Sequence, residues 1–385
     1  MRDPLSKLVQ TIQPSGIRKF FDVVSEMPDA ISLGVGEPDF DTPWHIREEG
    51  IYSLEQGRTF YTSNSGLKEL KTEVCRYLKR SQGIDYDINQ VVVTVGGSEG
   101  IDIALRAMLD YGDEVLIPQP SYVSYEPCTL LAGGKPVIIE LKEENDFRLT
   151  PQELLEAITD KTKILILPFP NNPTGAIMEK EDLEAIAKII IEKDLYVLSD
   201  EIYAELTYKG KHVSIASVEG MKERTILING FSKAYAMTGW RLGYVVAPPR
   251  IVEQMLKIHQ FAIMCAPTTS QYAAVEALKN GDKDVAMMKD SYDQRRRFVL
   301  NEFEKMGMTC FTPYGAFYAF PSIKKYGMTS DEFASRLLQE VKVAVVPGTA
   351  FGSCGEGFLR ISYASSLDDL KTALGRIANF VNKLK

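Results

Sequence analysis

Short runs of apolar and β-branched residues recur through the middle of this chain, and segments with helical periodicity separate them. Each run is bounded by Gly, Pro, Asn or Asp, and its near-continuous hydrophobicity is typical of a strand buried on both faces. Such strands in alternation with helices predict an α/β fold with a mostly parallel sheet of seven strands. The predicted strands cover residues 91–95, 114–117, 136–141, 163–167, 195–199, 225–229 and 244–247.

Helices are predicted where apolar residues return every three or four positions with charges between them. Helices of this kind would cover both faces of the sheet. They are predicted over residues 67–81, 100–109, 179–192 and 251–258.

The pattern changes after residue 281, where a long charged helix is predicted over Asp282–Met306. An apolar run at 315–320, a helix at 330–340, a strand at 343–346 and a last helix from Leu367 follow it. We interpret this part as a smaller α+β domain. Glycine and proline interrupt the start of the chain, which we expect to pack with the small domain or to wrap a partner. The predicted units are an N-terminal segment at 1–45, a large domain at 46–281 and a small domain at 282–385.

Composition narrows the function classes. At 385 residues the chain exceeds one ordinary core, and its 45% hydrophobic content supports a packed interior. A formal net charge of -8, with no dominant basic stripe, argues against binding to nucleic acid or to an anionic membrane surface. The only arginine run, 295–297, lies in a predicted helix of mixed charge, and we interpret it as a solvated face.

Cysteine and histidine spacing argues against a metal site. The five cysteines are scattered without a CxxC pair, and the three histidines are too few and too dispersed. Disulfides are therefore not expected either. The start of the sequence lacks the apolar core of a signal peptide, and no apolar run is long enough to span a bilayer. We expect a cytoplasmic protein in a reducing setting.

Candidate chemistry follows the predicted strands, at the sheet edge where ligands of parallel α/β proteins collect. A glycine-rich turn at 96–100 opens a helix and would aim free N–H groups at a phosphate, although a tight connection explains it equally well. A Pro-Asn stretch at 170–175 could reach a ring oxygen or be a simple loop. Asp200 directly follows the predicted strand at 195–199, and a buried carboxylate needs a cation such as a pyridinium nitrogen.

Lys233 provides the most specific signal. It follows Ser232 after the predicted strand at 225–229, and Arg241 lies eight positions later. An amine that attacks a carbonyl, beside a hydroxyl and a guanidinium that suit a phosphate, points to a phosphorylated aldehyde, which is pyridoxal phosphate. Alone, the run would fit a surface Ser-Lys pair with a solvated arginine. A single bound ligand would account for the polar residues that follow all four strands.

These motifs resemble those of the class I aminotransferases of the fold-type I pyridoxal-phosphate superfamily, over nearly the whole chain. The segments that carry the resemblance are 170–175, 199–203 and 231–243. The resemblance implies that Lys233 bonds to the cofactor and acts as the catalytic base. It also implies the partners of the cofactor: Asp200 for the ring nitrogen, Asn172 and Tyr203 for the ring oxygen, and Gly97, Ser98, Ser232 and Arg241 for the phosphate.

The resemblance implies further contacts with the cofactor and the substrate. Tyr122 would stack on the cofactor ring, with ordinary core packing as the alternative. Tyr61 would reach the phosphate of a neighbouring subunit, which implies a homodimer with active sites at the subunit interface. Arg360 would grip the substrate α-carboxylate, with a strand-surface arginine as the alternative. Asn172, Gly36 and Ile17 would also line the substrate side, whereas the segment 315–318 is interpreted as core of the small domain.

The implied reaction transfers an amino group from an L-amino acid to a 2-oxo acid such as 2-oxoglutarate by a ping-pong mechanism. Ser98 stands where bacterial relatives that prefer aspartate often carry a lysine, which weakens an aspartate assignment. The overall pattern, including residues 15–20 and 238–241, resembles relatives that act on aromatic amino acids or on N-acylated diaminopimelate, and an aromatic or broad range of amino acids is favoured. Aspartate or N-acetyl-diaminopimelate aminotransferase activity and a carbon–sulfur β-lyase stay open. A transcription regulator would need a DNA-binding region, and a nucleotide-binding protein would need GxGxxG or GxxxxGK[ST], which the sequence lacks.

Overall fold

A computed structural model of the protein describes residues 2–14, 16, 27 and 29–384, and every structural statement below refers to these residues. The strands are short and mostly buried. They are β1 Ile31–Ser32, β2 Val91–Thr94, β3 Glu114–Gln119, β4 Lys135–Glu140, β5 Thr162–Leu167, β6 Tyr196–Asp200, β7 Thr225–Gly230, β8 Gly243–Val246, β9 Tyr318–Ala319, β10 Val343–Ala344, β11 Val346–Pro347 and β12 Leu359–Ser362.

Seven strands form the central sheet in the order β2-β8-β7-β6-β5-β3-β4. Every neighbouring pair is parallel except the two that involve β8, which runs antiparallel to β2 and β7. Every residue of β2, β3, β7 and β8 is buried, which explains why the strands are hydrophobic along their whole length. The seven predicted strands and the mostly parallel α/β fold are confirmed.

Helices pack on both faces of this sheet. Five of the helices in the described ranges, α1, α2, α5, α6 and α9, were not predicted. Helix α4 begins at the first glycine of the predicted turn, before the predicted start at residue 100. The helices are α1 Lys7–Thr11, α2 Trp44–Glu55, α3 Lys68–Gln82, α4 Gly96–Met108, α5 Tyr125–Leu131, α6 Pro151–Ala157, α7 Lys180–Glu192, α8 Pro249–Ala262, α9 Thr268–Asn280, α10 Asp282–Met306, α11 Ser330–Val341 and α12 Leu367–Asn382.

Two small sheets accompany the last third of the chain. β9, β12 and β11 form an antiparallel sheet, and β1 pairs in parallel with β10. The single strand predicted at 343–346 is two strands, because β10 pairs with β1 whereas β11 pairs with β12. Of the apolar run at 315–320, only β9 is a strand. The domain boundaries at residues 45 and 281 stay predictions.

The arginine run on α10 corrects one interpretation. The side chains of Arg295 and Arg296 are only 13% and 11% exposed, whereas that of Arg297 is 64% exposed. Arg295 pairs with Asp39, and Arg296 donates to the carbonyl oxygen of Pro313. The solvated face is therefore limited to Arg297, because the other two arginines pack against distant parts of the chain.

No helix within the described ranges is both long enough and apolar enough to cross a bilayer.

His45, on α2, lies between two carboxylates from different helices. Its Nδ1 is 2.7 Å from Glu276 Oε1 on α9, and its Nε2 is 3.0 Å from Asp284 Oδ2 on α10. Ionised carboxylates only accept hydrogen bonds, so both ring nitrogens must carry a hydrogen, which requires the imidazolium. Burial lowers the pKa of His45, but the hydrogen bonds and charges of Asp284 and Glu276 outweigh it and the net pKa is raised.

We expect His45 to stabilise the fold in a pH-dependent way. The contribution is complete below its unfolded pKa of about 6.5 and is lost as the pH rises through the raised folded pKa. Melting temperatures of the wild type and His45→Gln should therefore differ most near pH 5.5, by on the order of 1 °C, and converge by about pH 9. A difference that widens as the pH rises would contradict the assignment.

Candidate active site

One edge of the central sheet carries the candidate site. Strands β2, β5, β6 and β7 are parallel and end at this edge, and the antiparallel β8 begins there. A cavity of about 340 Å³ opens at this edge. The predicted site residues that line it are Gly36, Gly97, Ser98, Tyr122, Asn172, Asp200, Tyr203, Ser232, Lys233, Arg241 and Arg360.

Two predicted site residues are not among the residues that line this cavity. Tyr61 is 82% exposed on the surface of its own chain, beside Phe60 at 81%. Ile17 lies outside the described residues. The role predicted for Tyr61 concerns a neighbouring subunit, so both assignments stay predictions.

Lys233 lies in the turn that follows β7. Phe231, two residues before it, is buried, and its N–H donates to Leu242 O at 3.2 Å, which ties the turn to the start of β8. The Nζ of Lys233 donates to Gly36 O at 2.6 Å. Burial lowers the pKa of Lys233 to about 8, and the charges of Arg360 and Arg241 act in the same direction. About a tenth of the amine is therefore neutral at pH 7, far more than for an ordinary lysine.

Asp200 is the last residue of β6 and its carboxylate is buried. Its Oδ2 accepts from the Tyr125 hydroxyl at 2.7 Å, and its Oδ1 accepts from the Ile202 N–H at 3.2 Å. Burial raises the pKa of Asp200, although the hydrogen bond from Tyr125 opposes this. No arginine, lysine or histidine of the described chain pairs with it. A buried carboxylate of this kind suits a cation brought by a ligand, such as a protonated ring nitrogen.

The amino end of α4 lies against the guanidinium of Arg241. A methyl group on Gly96 would lie 2.7 Å from Arg241 Nη2, so the guanidinium rests against the helix start. Gly96 also has a φ of +73°, which favours glycine. Arg241 donates to Thr238 O at 3.0 Å and has no carboxylate partner in the part of the chain that the structure describes. A cation, helix N–H groups and the hydroxyls of Ser98 and Ser232 together suit a phosphate.

Arg360, on β12, is a buried cation that has no acidic partner among the described residues. Its Nη1 donates to Asn172 Oδ1 at 2.9 Å, its Nη2 donates to Gly34 O, and its Nε has no partner among the described residues. Its guanidinium carbon lies 4.6 Å from the ring centroid of Tyr318 and 4.8 Å from that of Phe351. Burial lowers the pKa of Arg360. Such a group favours binding of an anion, and its planar fork fits a carboxylate.

Two tyrosines at the cavity escaped the sequence analysis. Tyr318 was interpreted as core, but it lines the cavity and its hydroxyl is 2.8 Å from that of Tyr203. Tyr125 donates to Asp200, whereas only Tyr122 beside it was selected. The signal that could have found Tyr125 is the need of a buried carboxylate for a donor, which the segment after another strand of the same sheet can supply.

The donor set fits pyridoxal phosphate. It combines an amine of lowered pKa, an unpaired buried carboxylate and an anion site, which match the aldehyde, the ring nitrogen and the phosphate in turn. A second, separate cation, Arg360, suits the carboxylate of an amino acid.

Comparison with known proteins decides the family. The sequence profile described as "Aminotransferase class I and II" matches residues 28–377. The chain belongs to this aminotransferase family. The aminotransferase is 48% identical over 385 residues to an aspartate aminotransferase of Pyrococcus abyssi, with 99% of each chain covered. It is 46% identical over 385 residues to the aromatic-amino-acid aminotransferase 2 of Thermococcus litoralis, again with 99% of each chain covered.

A solved structure supports the same assignment. The aromatic aminotransferase of Pyrococcus horikoshii OT3 matches this aminotransferase with a TM-score of 0.91 at 47% identity, and the match covers 95% of this chain and 100% of that chain. The predicted family, fold class and enzyme class are confirmed, and aminotransferases of this family are pyridoxal-phosphate-dependent. The names of the relatives divide between aspartate and aromatic amino acids, so they leave the preferred amino acid of this aminotransferase open.

Proposed function

We propose that this aminotransferase moves the amino group of an L-amino acid, with an aromatic or broad range, to a 2-oxo acid such as 2-oxoglutarate. Pyridoxal phosphate held by Lys233 would carry the group in a ping-pong mechanism. The observation that supports this most is the placement of an amine of lowered pKa, an unpaired buried carboxylate and two cations without acidic partners around one cavity.

The cofactor would be held at both of its ends. Gly97, Ser98, Ser232 and Arg241 would bind its phosphate, because they supply N–H, hydroxyl and guanidinium donors at the amino end of α4. When bound, pyridoxal phosphate supplies an electron sink that acidifies the Cα–H bond of the amino acid. The residues that would hold and tune its ring are Asp200 at the ring nitrogen, Asn172 and Tyr203 at the ring oxygen, and Tyr122 at the ring face.

Lys233 is proposed as the base that removes the Cα proton. A base works best when its pKa lies near the operating pH, and burial lowers the pKa of Lys233 to about 8. Gly36 O accepts from its Nζ and keeps the amine at the cavity wall. Lys233 therefore combines a populated neutral form with a fixed position.

Arg360 is proposed to bind the α-carboxylate of the substrate. The hydrogen bonds to Asn172 and Gly34 fix the plane of the guanidinium, and the unpartnered Nε leaves a donor for the carboxylate. Holding the carboxylate at this point orients the Cα–H bond toward the base.

A second copy of the chain is proposed to complete the site. Phe60, Tyr61 and Phe261 are 81%, 82% and 87% exposed, which is unusual for such large apolar side chains. Thr268 holds this segment by donating to Phe60 O at 2.8 Å. We propose that Tyr61 reaches the phosphate in the other subunit of a homodimer. Ile17 is proposed to lie at the substrate side.

The preferred amino acid is the part of the proposal that most needs a test. Ser98 is exposed at the cavity and offers a substrate no positive charge. We expect L-tyrosine and L-phenylalanine to yield glutamate from 2-oxoglutarate faster than L-aspartate does. Ser98→Lys should raise the rate ratio of aspartate to tyrosine about tenfold, because a charged hydrogen bond to a second carboxylate is worth roughly that much. The uncharged Ser98→Gln should leave the ratio unchanged.

The alternatives give different outcomes in the same panel of substrates. Faster turnover of aspartate, or of N-acetyl-diaminopimelate, by the wild type would favour the corresponding aminotransferase. Release of ammonia and pyruvate from cystathionine without a 2-oxo acid would favour a carbon–sulfur β-lyase.

A further inference from the structure

The segment at residues 33–40, here called the wall segment, forms one side of the cavity through its backbone. Gly36 O accepts from Lys233 Nζ at 2.6 Å, and Gly34 O accepts from Arg360 Nη2. The backbone of this segment therefore sets the positions of both the amine and the carboxylate-binding guanidinium.

The wall segment lies close against the cavity residues. A methyl group on Gly36 would come within 2.8 Å of the Tyr318 hydroxyl and 3.7 Å of Arg360 Nη1. A shift of the backbone by about 1 Å would therefore move the groups that contact substrate, and misplacement on that scale is costly in enzymes.

The two ends of the wall segment are held differently. At its start, the Leu33 N–H donates to Ala344 O at 2.8 Å, and Leu33 O accepts from the Ser362 N–H at 2.7 Å. Between residues 35 and 40, no backbone–backbone hydrogen bond to any described residue anchors the chain. The second half of the segment thus depends on side-chain contacts.

Two contacts with α10 hold this second end: an ion pair, and edge-to-face packing of Phe40 on Tyr292 with the ring centroids 5.5 Å apart. Asp39 Oδ1 accepts from Arg295 Nη1 at 2.7 Å, with only 24% and 13% of the two side chains exposed. The guanidinium carbon of Arg295 also lies 5.3 Å from the ring centroid of Phe40 and 5.6 Å from that of Tyr292. A planar guanidinium that both pairs with a carboxylate and stacks on aromatic rings fixes direction as well as charge. Glu37 adds one weaker contact, an exposed hydrogen bond from Thr238 at 3.0 Å.

We propose that Arg295 is a positioning residue of this aminotransferase, which acts through Asp39 and Phe40 to hold the wall segment against Arg360 and Lys233. The inference rests on the proposed function, because its kinetic consequence is weaker binding of the amino acid. Loss of the ion pair frees the second half of the wall segment and displaces Gly36, which lies against Tyr318 and Arg360 Nη1. The guanidinium that meets the α-carboxylate then loses a fixed neighbour.

The chain offers a matched control on the same helix. Arg297→Ala removes an arginine that is 64% exposed and pairs only with Asp293, whereas Arg295→Ala removes the anchor. Arg295→Lys keeps the charge but not the planar fork. The double variant with Arg295→Asp and Asp39→Arg restores opposite charges in exchanged positions, so partial recovery in it would show that the two side chains act together.

Two measurements on the purified enzyme test the proposal. Cleavage by chymotrypsin after Phe40, without substrate, should become faster in Arg295→Ala and should stay at the wild-type rate in Arg297→Ala. The KM for L-phenylalanine should rise about fivefold in Arg295→Ala while kcat changes less than about twofold, as expected for a loss of about 1 kcal/mol in binding. Arg295→Lys should give intermediate values.

Each measurement tests one of the two parts of the proposal, the anchoring of the wall segment and the positioning role of Arg295. Unchanged cleavage in Arg295→Ala would overturn the anchor, and faster cleavage with an unchanged KM would overturn the positioning role. Faster cleavage with a raised KM, in the absence of both effects in Arg297→Ala, supports the proposal. If the wild type transfers no amino group from any amino acid, the proposed function fails together with the positioning role, whereas cleavage still decides the anchor.

Discussion

Replacing Lys233 with alanine is expected to reduce the rate of amino transfer at least about 10³-fold, because the variant loses both the amine that holds the cofactor and the base that removes the Cα proton. No other amine lines the cavity formed by the described residues. Glutamate formation and the visible absorbance of the lysine-bound cofactor measure the two losses separately.

Lys180→Ala is the matched control for this substitution. Lys180 is 65% exposed on α7 and pairs with Glu184 at 3.5 Å, so its loss removes the same charge far from the cavity. The control should keep the wild-type rate and absorbance. Normal turnover by Lys233→Ala would refute the assignment of the lysine, whatever the absorbance shows.

Replacing Asp200 with asparagine is expected to move activity and stability in opposite directions. Turnover should fall by about 10²- to 10³-fold, because the variant loses a fixed negative charge in a buried site. Burial raises the pKa of Asp200 in the folded chain, so the ionised carboxylate lowers stability at neutral pH, above its unfolded pKa. Asparagine retains an oxygen for the Ile202 N–H without this charge. The melting temperature of the cofactor-free variant should therefore equal or exceed that of the wild type.

Asp194→Asn separates this effect from a general loss of negative charge. Asp194 lies just before β6, is 89% exposed and pairs with Arg224 at 3.1 Å. Its replacement should leave turnover unchanged. If the melting temperature of Asp200→Asn falls well below that of the wild type, its loss of activity would be explained by unfolding. That result would assign the carboxylate to folding and count against the proposed role.

The sequence predicts the central sheet well because its strands are buried on both faces and therefore read as continuous apolar runs. The helix Asp282–Met306 is also predicted with the observed bounds, since acidic residues begin it and Gly307 in the left-handed region ends it. Helix α9 is missed because its buried positions are mainly small or polar residues, so no apolar stripe stands out.

In the candidate site, too, a sequence rule places some residues together, whereas others depend on tertiary pairing. Asp200 and Lys233 follow parallel strands directly, so the rule about strand ends places them together. Arg241 joins them because β8 runs antiparallel and begins where its neighbours end, and nothing in the hydrophobic pattern shows this direction. The contact of Arg295 with Asp39 joins residues 256 positions apart, which no local pattern can reveal. What the sequence misses is therefore mainly tertiary pairing.

The pairing of β1 with β10 affects the order in which the cofactor-holding and the substrate-recognising parts of the site are completed during synthesis. Apart from Tyr61 of the second subunit, the groups proposed to hold the cofactor lie between Gly97 and Arg241, and all of these leave the ribosome before β10 and Arg360 do. The wall segment is translated early, but its hydrogen bonds with Ala344 and Arg360 can form only after those residues have been made. We expect a nascent chain to become competent for the vitamin-derived group before it can recognise an amino acid.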